Sequence, residues 1–102
     1  MKVNQKLQHK LNILKLLYDT GLRVTASQLN ISNANQYFIP LKYAGLISRD
    51  EVPREKSTPY KVGFVDDRTR EKAKEFLEKH NKLNAQTPLN ILHSQNEAQG
   101  TH

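Results

Sequence analysis

The chain has 102 residues, of which 36% are hydrophobic and none is cysteine, and its formal net charge is +6. This length predicts one small domain with a modest core, and the absence of cysteine excludes a disulfide framework and a thiolate metal site. No stretch resembles a membrane span or a signal peptide, so we expect a cytoplasmic protein without a membrane partner. The positive charge suits a partner that carries phosphate groups.

The first predicted element is a helix from about residue 4 to residue 19. Its apolar side chains recur at three- and four-residue steps, and the stripe widens toward the helix end, which predicts burial on more than one side. Gly21 is placed to end this helix in a left-handed conformation, and residues 22–24 are expected to form a short strand that pairs with a later hairpin. The stripe consists of Val3, Leu7, Leu11, Leu14 and Tyr18, with Ile13, Leu16 and Leu17 at the wide end.

Two shorter helices with a tight break between them are predicted to follow. Thr25 and Gln28 have the spacing of a capping box, which predicts a first helix over residues 26–30. After the break, Ser32 is expected to cap a second helix over residues 33–44.

The second of these helices has one apolar and one mostly polar face. This pattern is typical of the second helix of a helix–turn–helix. Pro40 predicts either a kink or a split, because proline removes one backbone hydrogen bond from a helix. The apolar face carries Ala34, Tyr37, Phe38, Leu41 and Gly45, and the opposite face carries Ser32, Asn35, Gln36, Ile39 and Tyr43.

The end of this helix and the residues after it resemble a known family. Residues 41–49, LKYAGLISR, are similar to the end of the recognition helix in winged-helix repressors of the MarR, ArsR and PadR kind. In that family a leucine anchors the helix, a glycine ends it, and Leu-Ile opens the first strand of a hairpin called the wing. Residues from about 5 to 82 follow the family's order of elements, although Pro40 and the short first helix of the pair depart from it.

The resemblance implies a DNA-binding site at the polar face of the second helix. A recognition helix enters the major groove, where Asn and Gln amides suit the adenine edge. We therefore expect Asn33, Asn35 and Gln36 to read base edges, with an A·T-rich half-site as a corollary. The full set of expected DNA-binding residues is Ser32, Asn33, Asn35, Gln36, Lys42, Tyr43, Arg54 and Lys56.

After these helices the chain is predicted to form a hairpin. Residues 47–52 form one arm, and residues 60–65, in which apolar side chains alternate with others, form the second arm. The loop between the arms holds Arg54 and Lys56, which suit contacts with DNA phosphates. Acidic neighbours such as Glu55 favour the alternative that the loop is only solvated, and both interpretations stay open.

The last predicted helix runs from about residue 67 to residue 82. Asp66 and Asp67 are placed at its start, where carboxylates complement the partial positive charge of a helix N-terminus. Its apolar side either packs on the first helix or forms a dimer interface, as terminal helices often do in winged-helix regulators. That side carries Ala73, Phe76, Leu77, His80 and Leu83, and the expected dimer interface consists of Leu14, Phe76, Leu77 and Leu83.

Residues 84–102 are polar, nearly uncharged and poor in aromatic side chains, which predicts a flexible C-terminal tail. The one apolar patch of this tail is residues 89–92, a tetrapeptide that also occurs at residues 11–14. Coincidence explains a repeat this short. The alternative is a segment that docks a protein partner.

The sequence carries no sign of catalysis. It has no glycine-rich phosphate loop, and its four histidines lack the spacing that is typical of metal ligands. We expect no enzyme activity, no metal and no cofactor.

These predictions combine into an α+β, mainly α fold. It is a winged helix–turn–helix over residues 1–83, with a two-stranded wing and a C-terminal helix, and the tail at residues 84–102 follows it. The expected function is a sequence-specific transcriptional regulator, a repressor, that binds double-stranded DNA as a homodimer. The alternative is a protein-interaction module or an accessory to plasmid or phage partition or replication. The observation in favour of this alternative is that Lys42 is the only charge on the recognition face.

Overall fold

The computed structural model describes residues 5–56 and 59–92, and these form three α-helices and a two-stranded antiparallel sheet. This architecture agrees with the predicted α+β fold and is compatible with a winged helix. No helix in the described part of the chain is long and apolar enough to cross a membrane. The elements in chain order are helix α1 (Gln5–Thr20), a 3₁₀ turn (Ala26–Gln28), helix α2 (Asn35–Tyr43), strands β1 (Ser48–Val52) and β2 (Tyr60–Phe64), helix α3 (Arg70–Lys79) and a second 3₁₀ turn (Leu89–Ile91).

Helix α1 lies at the centre of the domain, in contact with α2, α3 and β2. Its burial on several sides confirms the prediction from the widened stripe, whose first residue, Val3, lies outside the described residues. A fully buried leucine or isoleucine contributes about 1.5–3 kcal/mol relative to an exposed one, so α1 supplies much of the core's stability. The buried apolar residues of α1 are Leu11, Ile13, Leu14, Leu16 and Leu17.

The hairpin is a regular antiparallel ladder between β1 and β2. Val24 adds a single bridge to it: the Val24 N–H donates to the Gly63 carbonyl at 3.0 Å, and the Gly63 N–H donates to the Val24 carbonyl at 2.8 Å. This confirms the predicted hairpin, whereas the pairing expected for residues 22–24 is reduced to one residue. The bridge attaches the segment between α1 and α2 to the hairpin.

The first of the two short helices is less extensive than predicted. The helix expected over residues 26–30 is only a 3₁₀ turn, although the Gln28 side chain accepts the Thr25 N–H at 2.8 Å, as a capping box requires. Leu29 has an extended conformation and forms a bridge with Leu92. Because Leu29 pairs with a distant segment, the helix cannot continue through it.

Helix α2 begins later than predicted. Asn33 adopts a left-handed conformation with a φ of 56°, so the chain turns there and the helix starts at Asn35, with Ala34 in the capping position and no side-chain cap. The prediction that Ser32 caps this helix is therefore wrong. Pro40 does not split the helix, because Pro40 lies on the exposed side, where water can satisfy the carbonyl that loses its partner.

Asp66 connects β1 to the start of α3. One oxygen of its carboxylate accepts the Arg68 N–H at 3.0 Å and the Thr69 N–H at 3.2 Å, and the other accepts the Ser48 hydroxyl at 3.0 Å. Desolvation by itself would raise the pKa of Asp66, but these hydrogen bonds together outweigh it and lower the pKa below its ordinary value. The turn that they stabilise delays the helix to Arg70, later than the predicted start at residue 67.

Helix α3 packs its apolar side on α1. Leu77 on α3 and Leu14 on α1 are both fully buried in the core of the single chain. Neither side chain is therefore exposed for contact with a second copy, and the expected dimer interface loses these two residues. Phe76 and Leu83 are half-buried and retain exposed surface.

The predicted domain boundary at residue 83 is too early. Ile91 and Leu92 are buried, and the Asn30 N–H donates to the Ile91 carbonyl at 2.6 Å. The prediction of a flexible tail is therefore wrong for residues 84–92, because their few apolar side chains pack on the chain's own core. The rest of the predicted tail, residues 93–102, lies outside the described residues.

A buried lysine ties α1 to the segment after α3. The Lys15 ammonium lies 3.1 Å from an Asp19 carboxylate oxygen and donates to the Leu83 carbonyl at 2.6 Å. The same Asp19 oxygen accepts the Thr87 hydroxyl at 2.6 Å. A buried charge needs such partners, and here they fix the segment that leads to the docked residues 89–92.

Removing the docked segment should destabilise the domain. A chain that ends at Pro88 lacks the buried side chains of Ile91 and Leu92, so we expect its free energy of unfolding to fall by about 3–6 kcal/mol. A chain that ends at Leu92 is the matched control and should retain the stability of the full chain. Equilibrium unfolding in urea measures all three, and equal midpoints for the two shortened chains would contradict the docked position.

The Asp66 carboxylate should make stability depend on pH. Since its pKa is lowered in the folded state, the ionised carboxylate stabilises the fold above the ordinary pKa, and this contribution is lost as the pH falls through the lowered value. Asp66→Asn should therefore be less stable than the natural chain at neutral pH, and the difference should shrink below about pH 4. Thermal unfolding across this range is the measurement, with the exposed Asp67→Asn as control. A difference that stays constant with pH would count against the assigned hydrogen bonds.

Candidate functional site between helix α2 and the hairpin

Helix α2 presents one face to solvent while its opposite face is held in the core. Tyr37, Phe38 and Leu41 are buried, in agreement with the predicted apolar face. On the other side, Tyr43 is 82% exposed and Ile39 is 43% exposed. The remaining exposed residues of the helix are Asn35, Gln36, Pro40 and Lys42.

An open groove of about 960 Å³ lies between α2, the hairpin and the 3₁₀ turn at Ala26–Gln28. We call it the α2 groove. Of the predicted DNA-binding residues, Asn35, Lys42 and Tyr43 line it. The hairpin side of the groove includes Tyr60, which reaches it from the start of β2.

The other predicted site residues lie outside the lining of the α2 groove. Ser32 and Asn33 are exposed in the turn that precedes α2, and Gln36 is exposed in the first turn of the helix. Arg54 and Lys56 are exposed in the hairpin loop, next to residues 57–58, which the structure does not describe. The Arg54 guanidinium lies 5.5 Å from the centre of the Tyr60 ring.

The charges that line the α2 groove are mixed. Lys42, Arg49 and Lys61 face the same space as Asp50 and Glu51. The Asp50 carboxylate lies 3.2 Å from the guanidinium of Arg23, an exposed residue in the segment after α1. This ion pair offsets the charge of Asp50 from outside the groove. The lining as a whole therefore carries slightly more positive than negative charge, and both signs are present in it.

Arg49 is a residue of this site that the sequence analysis did not select. It extends from β1, and its Nη2 atom donates to the Asn35 Oδ1 atom at 3.0 Å. Its guanidinium lies 5.5 Å from the centre of the Phe38 ring. One signal could have identified it: Arg49 follows the buried Ile47 by two residues, and alternate residues of an extended chain share a face.

The histidines of the described chain take part in packing. The His9 ring lies 5.3 Å from the Tyr37 ring, and the His80 Nδ1 atom lies 3.0 Å from the Phe76 carbonyl oxygen. Within residues 5–56 and 59–92, no three His, Cys, Asp or Glu side chains are grouped so that they could hold a metal ion.

The chain matches no protein-family model, no curated protein and no solved structure at a significant level. The resemblance of residues 41–49 to winged-helix repressors therefore stays a prediction. A function for the α2 groove has to be argued from the geometry and chemistry of the groove itself.

Proposed function

We propose that this chain is a winged-helix transcriptional regulator, a repressor, that binds double-stranded DNA in a sequence-specific manner. The observation that carries the proposal is the exposed face of α2, which lies beside an open groove while the opposite face is buried in the core. A helix that is held in this way can enter the major groove of DNA, which is about 12 Å wide.

The residues that read bases are those of the first turn of α2 and of the turn before it. Asn35 and Gln36 are exposed at the start of the helix, and Ser32 and Asn33 are exposed just before it. In helix–turn–helix proteins the start of the recognition helix contacts the base edges. Amide side chains can donate and accept hydrogen bonds at those edges, which makes them suitable for sequence discrimination.

The residues that contact phosphates are those at the two sides of the reading helix. Lys42 lies at the C-terminal end of α2, and Arg54 and Lys56 are exposed in the hairpin loop. Phosphate contacts orient a protein on the duplex and supply most of its non-specific affinity. The net charge of +6 agrees with such a role.

The proposed active form is a homodimer. Phe76 and Leu83 are half-buried in the single chain, and Phe76 lines a shallow surface depression together with Leu46. A second copy that covers Phe76 and Leu83 has to place the two reading helices roughly 34 Å apart, one turn of DNA, for binding to an operator with two-fold symmetry.

A second candidate function is docking of a protein partner in the α2 groove. The observation that favours it is the exposure of Ile39, Tyr43 and Tyr60 around one groove whose charges nearly cancel. Exposed apolar and aromatic side chains with a polar rim are typical of protein interaction sites. An accessory role in plasmid or phage partition or replication would use the same surface.

The amides and the basic loop should affect DNA binding differently. We expect Asn35→Ala or Gln36→Ala to reduce discrimination between a selected duplex and a scrambled one, at a cost of about 1–3 kcal/mol per lost base contact. Arg54→Ala or Lys56→Ala should weaken binding to both duplexes and reduce the salt dependence by roughly one unit of slope per lost phosphate contact. Selection from a random duplex library supplies the sequence, and titration at several salt concentrations measures both effects.

Two exposed residues outside α2 and the hairpin serve as matched controls. Gln86→Ala removes an amide and Lys74→Ala removes a positive charge, and neither should alter discrimination. Equal losses for both duplexes in the amide variants would show that α2 is not the reader. If the natural chain prefers no duplex and responds little to salt, the docking function replaces DNA binding.

The oligomer should be detectable without any variant. Sedimentation of the full chain at micromolar concentration is expected to give twice the mass of the 11.8 kDa chain, because two copies cover each other's apolar surface. A species of 11.8 kDa both alone and with the selected duplex would contradict the homodimer.

A further inference from the structure

The hydrogen bond between Arg49 and Asn35 fixes which end of the Asn35 amide is the oxygen. A guanidinium can only donate, so the atom that lies 3.0 Å from the Arg49 Nη2 atom has to be the Asn35 oxygen. The Nδ2 group of Asn35 then forms the other end of the amide. Among the described residues no further hydrogen bond involves this side chain, so its two N–H groups remain available to a ligand.

We infer that Arg49 is a positioning residue that makes Asn35 a hydrogen-bond donor toward DNA, and that Asn35 therefore selects a base edge that carries acceptors only. Guanine presents such an edge in the major groove, with two acceptors, O6 and N7, whereas adenine presents one acceptor beside its N6 amino donor. The inference rests on the proposed DNA-binding function and makes it more specific. It replaces, for Asn35, the adenine preference expected from an unrestrained amide.

The electrostatic reason is the charge of the Arg49 guanidinium. Reading adenine requires the Asn35 oxygen to accept from the adenine N6 amino group while Nδ2 donates to N7. With Arg49 bound to that oxygen at 3.0 Å, an amino group that approaches the same atom meets a fixed positive charge. The two acceptors of guanine are attracted by that charge and by the Nδ2 group together.

Arg49 is held in place by packing as well as by its bond to Asn35. Its guanidinium lies 5.5 Å from the centre of the Phe38 ring, and Phe38 itself is fully buried. The Arg49 Nε atom is buried and has no hydrogen-bond partner among the described residues, which is unfavourable for stability. Within the described residues, the one side-chain hydrogen bond of Arg49 is therefore the bond to Asn35.

Selection of duplexes with two variants tests the inference. The position read by Asn35 is the base pair whose preference disappears in Asn35→Ala. At that position the natural chain should select guanine. Arg49→Met keeps an apolar stem over Phe38 but frees the Asn35 oxygen, so the ratio of guanine to adenine should fall by about tenfold.

Arg23→Met is the matched control. The Arg23 guanidinium also lies over a phenylalanine ring, 3.9 Å from the centre of Phe64, and pairs with Asp50. Losing this charge should weaken binding to all duplexes to a similar extent and leave the base ratio unchanged. If Arg49 had only a structural or phosphate-binding role, Arg49→Met would likewise leave the base ratio unchanged.

The outcomes separate the inference from the function on which it rests. Adenine selected by the natural chain, or a base ratio that Arg49→Met does not change, would overturn the positioning role while DNA binding stands. If selection enriches no duplex at all, the proposed function fails instead. In the free protein, Arg49→Met should also shift the side-chain amide NMR signals of Asn35, and unchanged signals would contradict the hydrogen bond itself.

Discussion

The arrangement of α2 beside the hairpin depends on a close contact between the Phe38 ring and the backbone at Gly63. Phe38 is fully buried, and a Cβ atom at position 63 would lie 3.1 Å from its ring and 3.3 Å from the Ile47 side chain. Glycine therefore allows helix and sheet to approach this closely, and the same residue pairs with Val24. The contact fixes three parts of the chain relative to one another, and Arg49 is positioned over the ring that it holds.

Features that depend on local pattern could be predicted from the sequence, whereas those that depend on distant contacts could not. The three long helices, the hairpin and the left-handed Gly21 follow from side-chain periodicity and backbone preference. The polar face of α2 was found for the same reason. Ser32 does not cap α2, because Asn33 turns the chain in a left-handed conformation and the helix begins only at Asn35. The spacing from Ile47 indicates the side of β1 on which Arg49 lies, but its bond to Asn35 depends on a side chain of another element.

The docked C-terminal segment changes how the small core is completed. The apolar side of the last helix is predicted either to pack on the first helix or to form a dimer interface, and in the structure it packs on the first helix. Ile91 and Leu92 join this core from the C-terminal part of the chain, and Lys15 anchors the segment that leads to them. The burial of Lys15 on an apolar helix could not be foreseen, since one of its two partners, the Leu83 carbonyl, comes from 68 positions away. The proposed dimer therefore depends on the smaller exposed area around Phe76 and Leu83.

The exposed face of α2, together with the hairpin loop, is the proposed DNA-binding surface. The most direct measurement is a series of two-dimensional amide NMR spectra of the labelled full chain during titration with a selected duplex. If this surface binds DNA, the largest changes should occur at Asn35, Gln36 and the loop residues Arg54 and Lys56, with the exposed side of α3 little affected. Changes concentrated on α1 and α3, with α2 unaffected, would contradict it.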